Sequence, residues 1–319
     1  AEKFGGQHAF PRVHPVAIAA HGIDLTIVDQ IRHNHFLKKP LDDSASSEIF
    51  DKYVSTLDPG HAYLLQSDLD ALNKYRYQLD DALKHADLKP AFAIYNTFHA
   101  RLLRRLNALV ARLEDGVEKF NFDADETLQI DREGAPWSEN ETANDALWDR
   151  RLKASILSMR LSDRDLGDIQ DVLLKRYRNR LKQAQQTRSE DAFQLYINAF
   201  ASTYDPHTQY LSPRSSENFN MTMSLSLQGI GAVLRTEDDY TSVVRLVTAG
   251  PADKAGELRP ADRIVSVGQG ERGKLIDVVG WRLDDVVELI RGPKGTIVRL
   301  GLVDNSGDEE SSRVIRIKR

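Results

Sequence analysis

Two glycines one residue apart, Gly229 and Gly231, interrupt an apolar, strand-like run from Leu225 to Leu234. Glycine reaches backbone angles that other residues avoid, so this pair can turn neighbouring N–H groups toward one point and cradle an anion. Apolar side chains flank the pair and β-prone residues follow it. The anion that fits is therefore the free carboxylate at the end of another polypeptide, lying along a sheet edge. A Gly-x-Gly inside a strand also marks ordinary turns and bulges, so the pair alone leaves both readings open. Further on, Leu283, Val287 and Ile290 stand at i, i+4 and i+7, one helical face that can floor an apolar groove or join the core.

Other chemistry-bearing residues point to structural roles. His33 and His35 lie two apart, which turns their rings away from each other on a helix and argues against a metal site. His207, in Asp205-Pro206-His207-Thr208, can be read as a base or as part of a turn, and the turn is the simpler reading. The acid pairs Asp42-Asp43, Asp238-Asp239 and Asp284-Asp285 read as caps and loop tips. The arginines between 101 and 112 read as an exposed face or an interdomain contact. With no cysteine in the chain, disulfides, thiolate ligands and a cysteine nucleophile are excluded. Nothing in the sequence calls for a cofactor.

The elements that must position these residues follow from totals and pattern. A chain of 319 residues exceeds what one hydrophobic core usually serves, so two domains are expected. Hydrophobic residues are 41% and charged residues 29%, and the net charge is −5. That balance argues against binding a phosphate backbone. There is no apolar run of about 18 residues that would span a bilayer. The chain begins at Ala1, with neither a methionine nor a basic-then-apolar leader, which reads as a mature or trimmed product.

The spacing predicts helices from Val16 to about Phe36, through Ile49, Phe50, Tyr53, Val54 and Leu57 with Asp42, Asp43 and Ser44 as candidate caps, and from Leu69 to Leu79. It predicts further helices over 90–120, the most amphipathic stretch, and over 141–160, 164–186 and 189–200. Asp58-Pro59-Gly60 and Asp205-Pro206-His207-Thr208 are turns. From Tyr204 onward β-branched alternation takes over, with strands expected at 242–247, 264–267, 297–303 and 313–317. Gly250 to Gly256 fits a short helix, and Trp281 to Arg291 a longer one. The fold class is thus α+β multidomain: an all-α domain over 1–203, a connecting segment over 204–221, and a small, partly open β-barrel with two helices over 222–319.

The order of glycine loop, strand, Gly-Pro-Ala helix, Ala261-Asp262-Arg263-Ile264-Val265-Ser266-Val267-Gly268 and a helix bearing Asp284, Asp285, Val286, Val287, Leu289 and Ile290 resembles a PDZ domain. Longer phrases extend the likeness over nearly the whole chain. They are Asp205-Pro206-His207-Thr208-Gln209-Tyr210-Leu211-Ser212-Pro213, Met221 to Gly231, Val279 to Val287, Arg291-Gly292-Pro293-Lys294-Gly295, and, in the helical part, Lys39-Pro40-Leu41-Asp42-Asp43 with Thr56-Leu57-Asp58. Together they resemble the tail-specific, or C-terminal processing, protease family, peptidase family S41.

The resemblance implies a periplasmic serine protease that selects substrates by apolar C-terminal residues and cuts them with a Ser-Lys pair C-terminal to the PDZ domain. By position, Leu227, Gln228, Gly229 and Ile230 match the carboxylate loop, the strand from Gly231 would pair with the tail, and Leu283, Val287 and Ile290 would line the groove. The sequence stops at Arg319, where the last PDZ strand is expected to end. No catalytic residue is therefore assigned, and the chain is expected to recognise tails without cutting them. A helical-repeat lipoprotein adaptor is a further partner implied by the family. The alternative is a non-enzymatic peptide-binding adaptor.

Overall fold

The computed structural model describes residues 23–213, 215, 216, 219, 220, 229–303 and 312–319. The chain divides into two compact units, Ala1–Ser212 and Pro213–Arg319. The expected arm, and the first turns of the helix expected from Val16, lie outside the described residues.

The first unit is helical: α1 (Ile23–Asn34), α2 (Asp43–Leu57), α3 (Gln66–Leu72), α4 (Leu79–Lys84), α5 (Lys89–Glu114), α6 (Glu141–Arg160), α7 (Leu166–Gln185) and α8 (Ser189–Ala201). Of the three candidate caps, Asp42 is the one that starts helix α2, because it accepts the N–H groups of Ser44 and Ala45. Its periodic residues Ile49, Phe50, Tyr53, Val54 and Leu57 are all buried.

Helix α5 is the spine of the unit. Its first half gives Phe92, Ile94, Tyr95 and Phe98 to one core shared with α2 and α8. Its second half gives Leu103, Leu106, Leu109 and Leu113 to another, shared with α6 and α7. The arginines of α5 are paired even where exposed, as Arg104 is. Arg101 pairs with Asp68 at 2.7 Å and with Glu141, Arg104 with Glu141 at 2.8 Å, and Arg105 with Asp145 at 2.7 Å.

One expected helix is broken. Between Leu69 and Leu79 the chain forms α3, a single 3-10 turn over Asn73–Tyr75, and then α4. The cause is tertiary: the buried Ser46 hydroxyl of α2 donates to the Arg76 carbonyl and accepts the N–H groups of Leu79 and Asp80. It thereby replaces the intrahelical bonds that would have joined the two pieces.

Helices α2 and α8 pack together, with Tyr53 and Tyr196 rings 5.4 Å apart, and each ends in a Ser-Thr-x-Asp-Pro turn. Asp58, 1% exposed, accepts the N–H groups of Ala62, Tyr63 and Leu64 at 2.8–2.9 Å. Asp205 instead accepts the His207 N–H at 2.7 Å and the Thr208 hydroxyl, and faces His35 Nε2 at 2.9 Å. Leu37 N–H donates to His35 Nδ1 at 3.0 Å, which leaves Nε2 as the donor to Asp205.

The second unit is an antiparallel sheet that does not close on itself. Its strands are β1 (Ala232–Glu237), β2 (Tyr240–Leu246), β3 (Arg263–Gln269), β4 (Ile276–Asp277), β5 (Ile297–Val303) and β6 (Arg313–Lys318), in the order β1-β2-β3-β5-β6 with β4 beside β3. The two-residue β4 has no sequence signal of its own. Two short helices complete the unit, α9 (Pro251–Ala255) and α10 (Leu283–Ile290). Val243, Ile264, Val267, Val298, Leu300, Ile315 and Ile317 form the core with Ala252 of α9 and with Val286 and Ile290 of α10. Register passes from Val233↔Arg245 to Leu234↔Val243, so β2 carries the extra residue, Val244, and β1 runs without interruption.

Two outcomes follow for the first unit. Asp58→Ala leaves three backbone donors unpaired, and urea unfolding should show a loss of about 3 kcal/mol. The Thr208 hydroxyl, the His207 N–H and then His35 hold the Asp205 carboxyl well below the usual carboxylate range. Stability from such a group is present above its unfolded pKa and is lost as pH falls through the folded value. Below about pH 4, the melting temperature should therefore fall more steeply in the wild type than in Asp205→Asn.

Candidate functional site

The glycine stretch leads directly into β1, the first strand of the sheet. Gly231 has φ +71, a left-handed angle that favours glycine. A Cβ on Gly231 would stand 3.2 Å from Gly250 Cα and 3.2 Å from Pro251 Cδ. Its absence lets the chain turn tightly past the start of α9. Two backbone bonds fix the turn, from Val247 N–H to the Gly231 carbonyl and from Ala252 N–H to the Ile230 carbonyl, both at 2.8 Å. Ile230 itself is buried in the core. Leu227 and Gln228, the first two residues of the expected carboxylate loop, lie outside the described residues.

The donors of this turn differ from its acceptors. Among the described residues, the N–H groups of Gly229, Ile230 and Gly231 have no acceptor. The carbonyl that an antiparallel ladder would offer Gly231, that of Val247, is taken by Gly250 N–H at 2.9 Å. Buried or half-buried backbone donors normally find a partner, so three in a row make this turn the candidate site.

Strand β1 adds an open edge. Among the described residues it pairs only with β2. Because the Gly231 carbonyl faces β2 and β1 is not bulged, ladder alternation turns the backbone groups of Ala232, Leu234 and Thr236 toward the free edge. The side chains of Ala232 and Leu234 pack against the core.

Helix α10 supplies the other side. Leu283 and Val287, one turn apart, are half-buried, whereas Val286 and Ile290 are buried. Ile290, expected with the first two on the groove face, sits in the core beside Ile230. The far end of α10 meets the glycine loop, since a Cβ on Gly229 would lie 3.7 Å from Arg291 Cγ. The residues that sequence reading did not single out are Ala232 and Leu234. The strand from Gly231 was expected to pair with a tail along a sheet edge, and β1 stands at the end of the strand order, but the sequence did not single out these two residues within it.

Other polar clusters are structural. His33 and His35 do not converge, and the described residues contain no group of three or more His, Asp or Glu arranged to hold a metal ion. His207 belongs to the Asp205 turn through its backbone N–H. No described helix is long and apolar enough to cross a membrane.

An unclosed antiparallel sheet with a glycine turn before its edge strand and a helix beside that edge defines the second unit as a PDZ domain, and residues 219–303 match the PDZ family model. Residues 27–214 match the model of the tail specific protease N-terminal domain. The chain belongs to the tail-specific protease family.

The tail-specific protease of Haemophilus influenzae is 40% identical over 291 residues, covering 91% of this chain and 41% of that protein. The chain thus spans less than half of that relative's length. The carboxy-terminal processing protease CtpA of Bacillus subtilis is 38% identical over 98 residues, 31% of this chain and 20% of its own. Among solved structures, the PDZ domain of a carboxy-terminal protease from Vibrio cholerae, described as a complex with peptide, is 52% identical. It covers 29% of this chain and 93% of its own, with a TM-score of 0.28.

The glycine turn is testable without a ligand. Gly231→Ala forces a side chain into a left-handed angle and against Gly250 and Pro251, which should cost the second unit about 1–2 kcal/mol in thermal unfolding.

Proposed function

We propose that residues 1–319 are the substrate-recognition portion of a C-terminal processing serine protease, and that the PDZ domain captures the apolar C-terminal tails of proteins. The observation that carries this reading is the run of three N–H groups, Gly229 to Gly231, that find no acceptor among the described residues, at the head of an edge of β1 that is unpaired among those residues. A tail would add to that edge as an antiparallel strand, bonding the outward backbone groups of Ala232 and Leu234. Its carboxylate would take the loop N–H groups, and its last side chain would enter between β1 and the face of α10 that carries Leu283 and Val287. Charge-assisted bonds of this kind are stronger than neutral ones, so the loop selects a chain end over a chain interior.

In the complete protein, capture would hold a tail for hydrolysis by a Ser-Lys pair outside these 319 residues, in line with the chain's family. The same proposal includes a periplasmic location and leaves the helical unit as the surface for a protein adaptor.

The test is a titration of the 319-residue chain with a fluorescent peptide ending in small apolar residues, set against its C-terminal amide. The acid should bind at least about tenfold more tightly, the worth of one charge-assisted bond. Equal affinities would defeat the carboxylate assignment.

A further inference from the structure

Arg319 closes β6 and is only 8% exposed. Among the described residues its guanidinium has no carboxylate partner, although a buried cation normally demands one. Its donors go to the last turn of α10 instead: Nε to the Ile290 carbonyl at 2.7 Å and Nη2 to the Leu289 carbonyl at 3.0 Å. The remaining bonds are Nη2 to Gln269 Oε1 at 2.8 Å and Nη1 to Thr296 Oγ1 at 3.0 Å.

Room for the group is reserved, since a Cβ on Gly292 would stand 2.8 Å from both Cζ and Nη1. The backbone of Arg319 is fixed as well, by bonds of 2.8 Å from its N–H to the Thr296 carbonyl and from Gly295 N–H to its own carbonyl.

Helix α10 lacks the usual glycine finish, because Arg291 follows Ile290 in an extended conformation. The Ile290 carbonyl is covered by a cation at the negative end of the helix dipole, a favourable place for it, and the Leu289 carbonyl by that cation together with Gln269 Nε2 at 2.6 Å. That same end of the helix abuts Gly229, and one turn further back the helix carries Val287. A binding site works only when its walls are held to within a fraction of an ångström, which here depends on where this eight-residue helix lies.

We propose that Arg319 is a positioning residue of the groove: by gripping the Leu289 and Ile290 carbonyls it holds α10 against the glycine loop and sets the groove width where the ligand's terminus enters. The inference rests on the tail-capture reading and names the device that regulates the same site. Arg319 touches no ligand and acts entirely through the helix.

The test uses the full 319-residue chain with Arg319→Gln, Arg319→Lys and Thr296→Val, at a temperature where each is folded by circular dichroism. The ratio of affinities for the acid peptide and its amide is the readout, because a residue that merely stabilised the fold would leave that ratio unchanged in folded protein. The ratio should fall about tenfold in Arg319→Gln and less in Arg319→Lys, and the Leu283 and Val287 methyl resonances should shift in both.

If Arg319→Gln does not fold, Arg319→Lys decides, since a single ammonium cannot reproduce the planar guanidinium's bonds to both the Leu289 and the Ile290 carbonyls. A reduced ratio in Arg319→Lys supports the proposal and an unchanged one overturns it, while Thr296→Val, which leaves the guanidinium on the helix carbonyls, should keep the wild-type ratio. A wild type that binds acid and amide equally defeats the capture reading itself. A wild type that discriminates, beside folded Arg319 variants that discriminate equally well, defeats only the role of Arg319.

Discussion

A side chain on Gly231 would press against Gly250 and Pro251 at 3.2 Å, and the second unit is arranged around the fact that there is none. The close passage lets the Gly231 carbonyl meet Val247 and the Ile230 carbonyl meet Ala252. Those two bonds set the register of the β1–β2 hairpin and bury Ile230. The same passage uses up the carbonyls of the turn and leaves its N–H groups without acceptors among the described residues. Among the described residues backbone polarity is thus unbalanced at one end of an open strand, which is the basis for proposing an incoming carboxylate there.

The helical unit solves a related problem with carboxylates. Where α2 ends, Asp58 gathers three N–H groups of the following loop. Where the neighbouring α8 ends in the same Ser-Thr-x-Asp-Pro phrase, Asp205 takes one N–H, the Thr208 hydroxyl and a bond with His35. The two turns share a sequence and differ in what they hold: the first organises a local loop, and the second ties the end of α8 to the segment following α1. The arginines of α5 are likewise structural, because each finds a carboxylate on α3 or α6.

Much of this was legible in residue order. The buried stripe of α2 with its Asp42 cap, the long amphipathic α5, the Pro251 start and Gly256 finish of α9, and the PDZ pattern all rest on local rules, and local rules hold when nothing distant intervenes. The break between α3 and α4 was not legible, because the Ser46 hydroxyl that causes it comes from another helix. The i, i+4, i+7 spacing put Leu283, Val287 and Ile290 on one helical face. Spacing alone could not show that Ile290 lies in the core with Ile230 while Leu283 and Val287 are half-buried. Arg319 gave no signal, since a terminal arginine after a strand reads as a solvated charge until its four acceptors are seen. Of the proposed loop, Leu227 and Gln228 are outside the described residues, and Gly229, Ile230 and Gly231 carry the argument.

The account turns on whether the loop N–H groups receive a chain terminus. Amide resonances of uniformly 15N-labelled protein, followed during titration with an apolar-ended peptide, test this most directly. The Gly229, Ile230 and Gly231 amide protons should move downfield together with those of Ala232 and Leu234, and the peptide amide should move the strand resonances alone. Shifts confined to the strand with both peptides, or shifts located only in the helical unit, would contradict it.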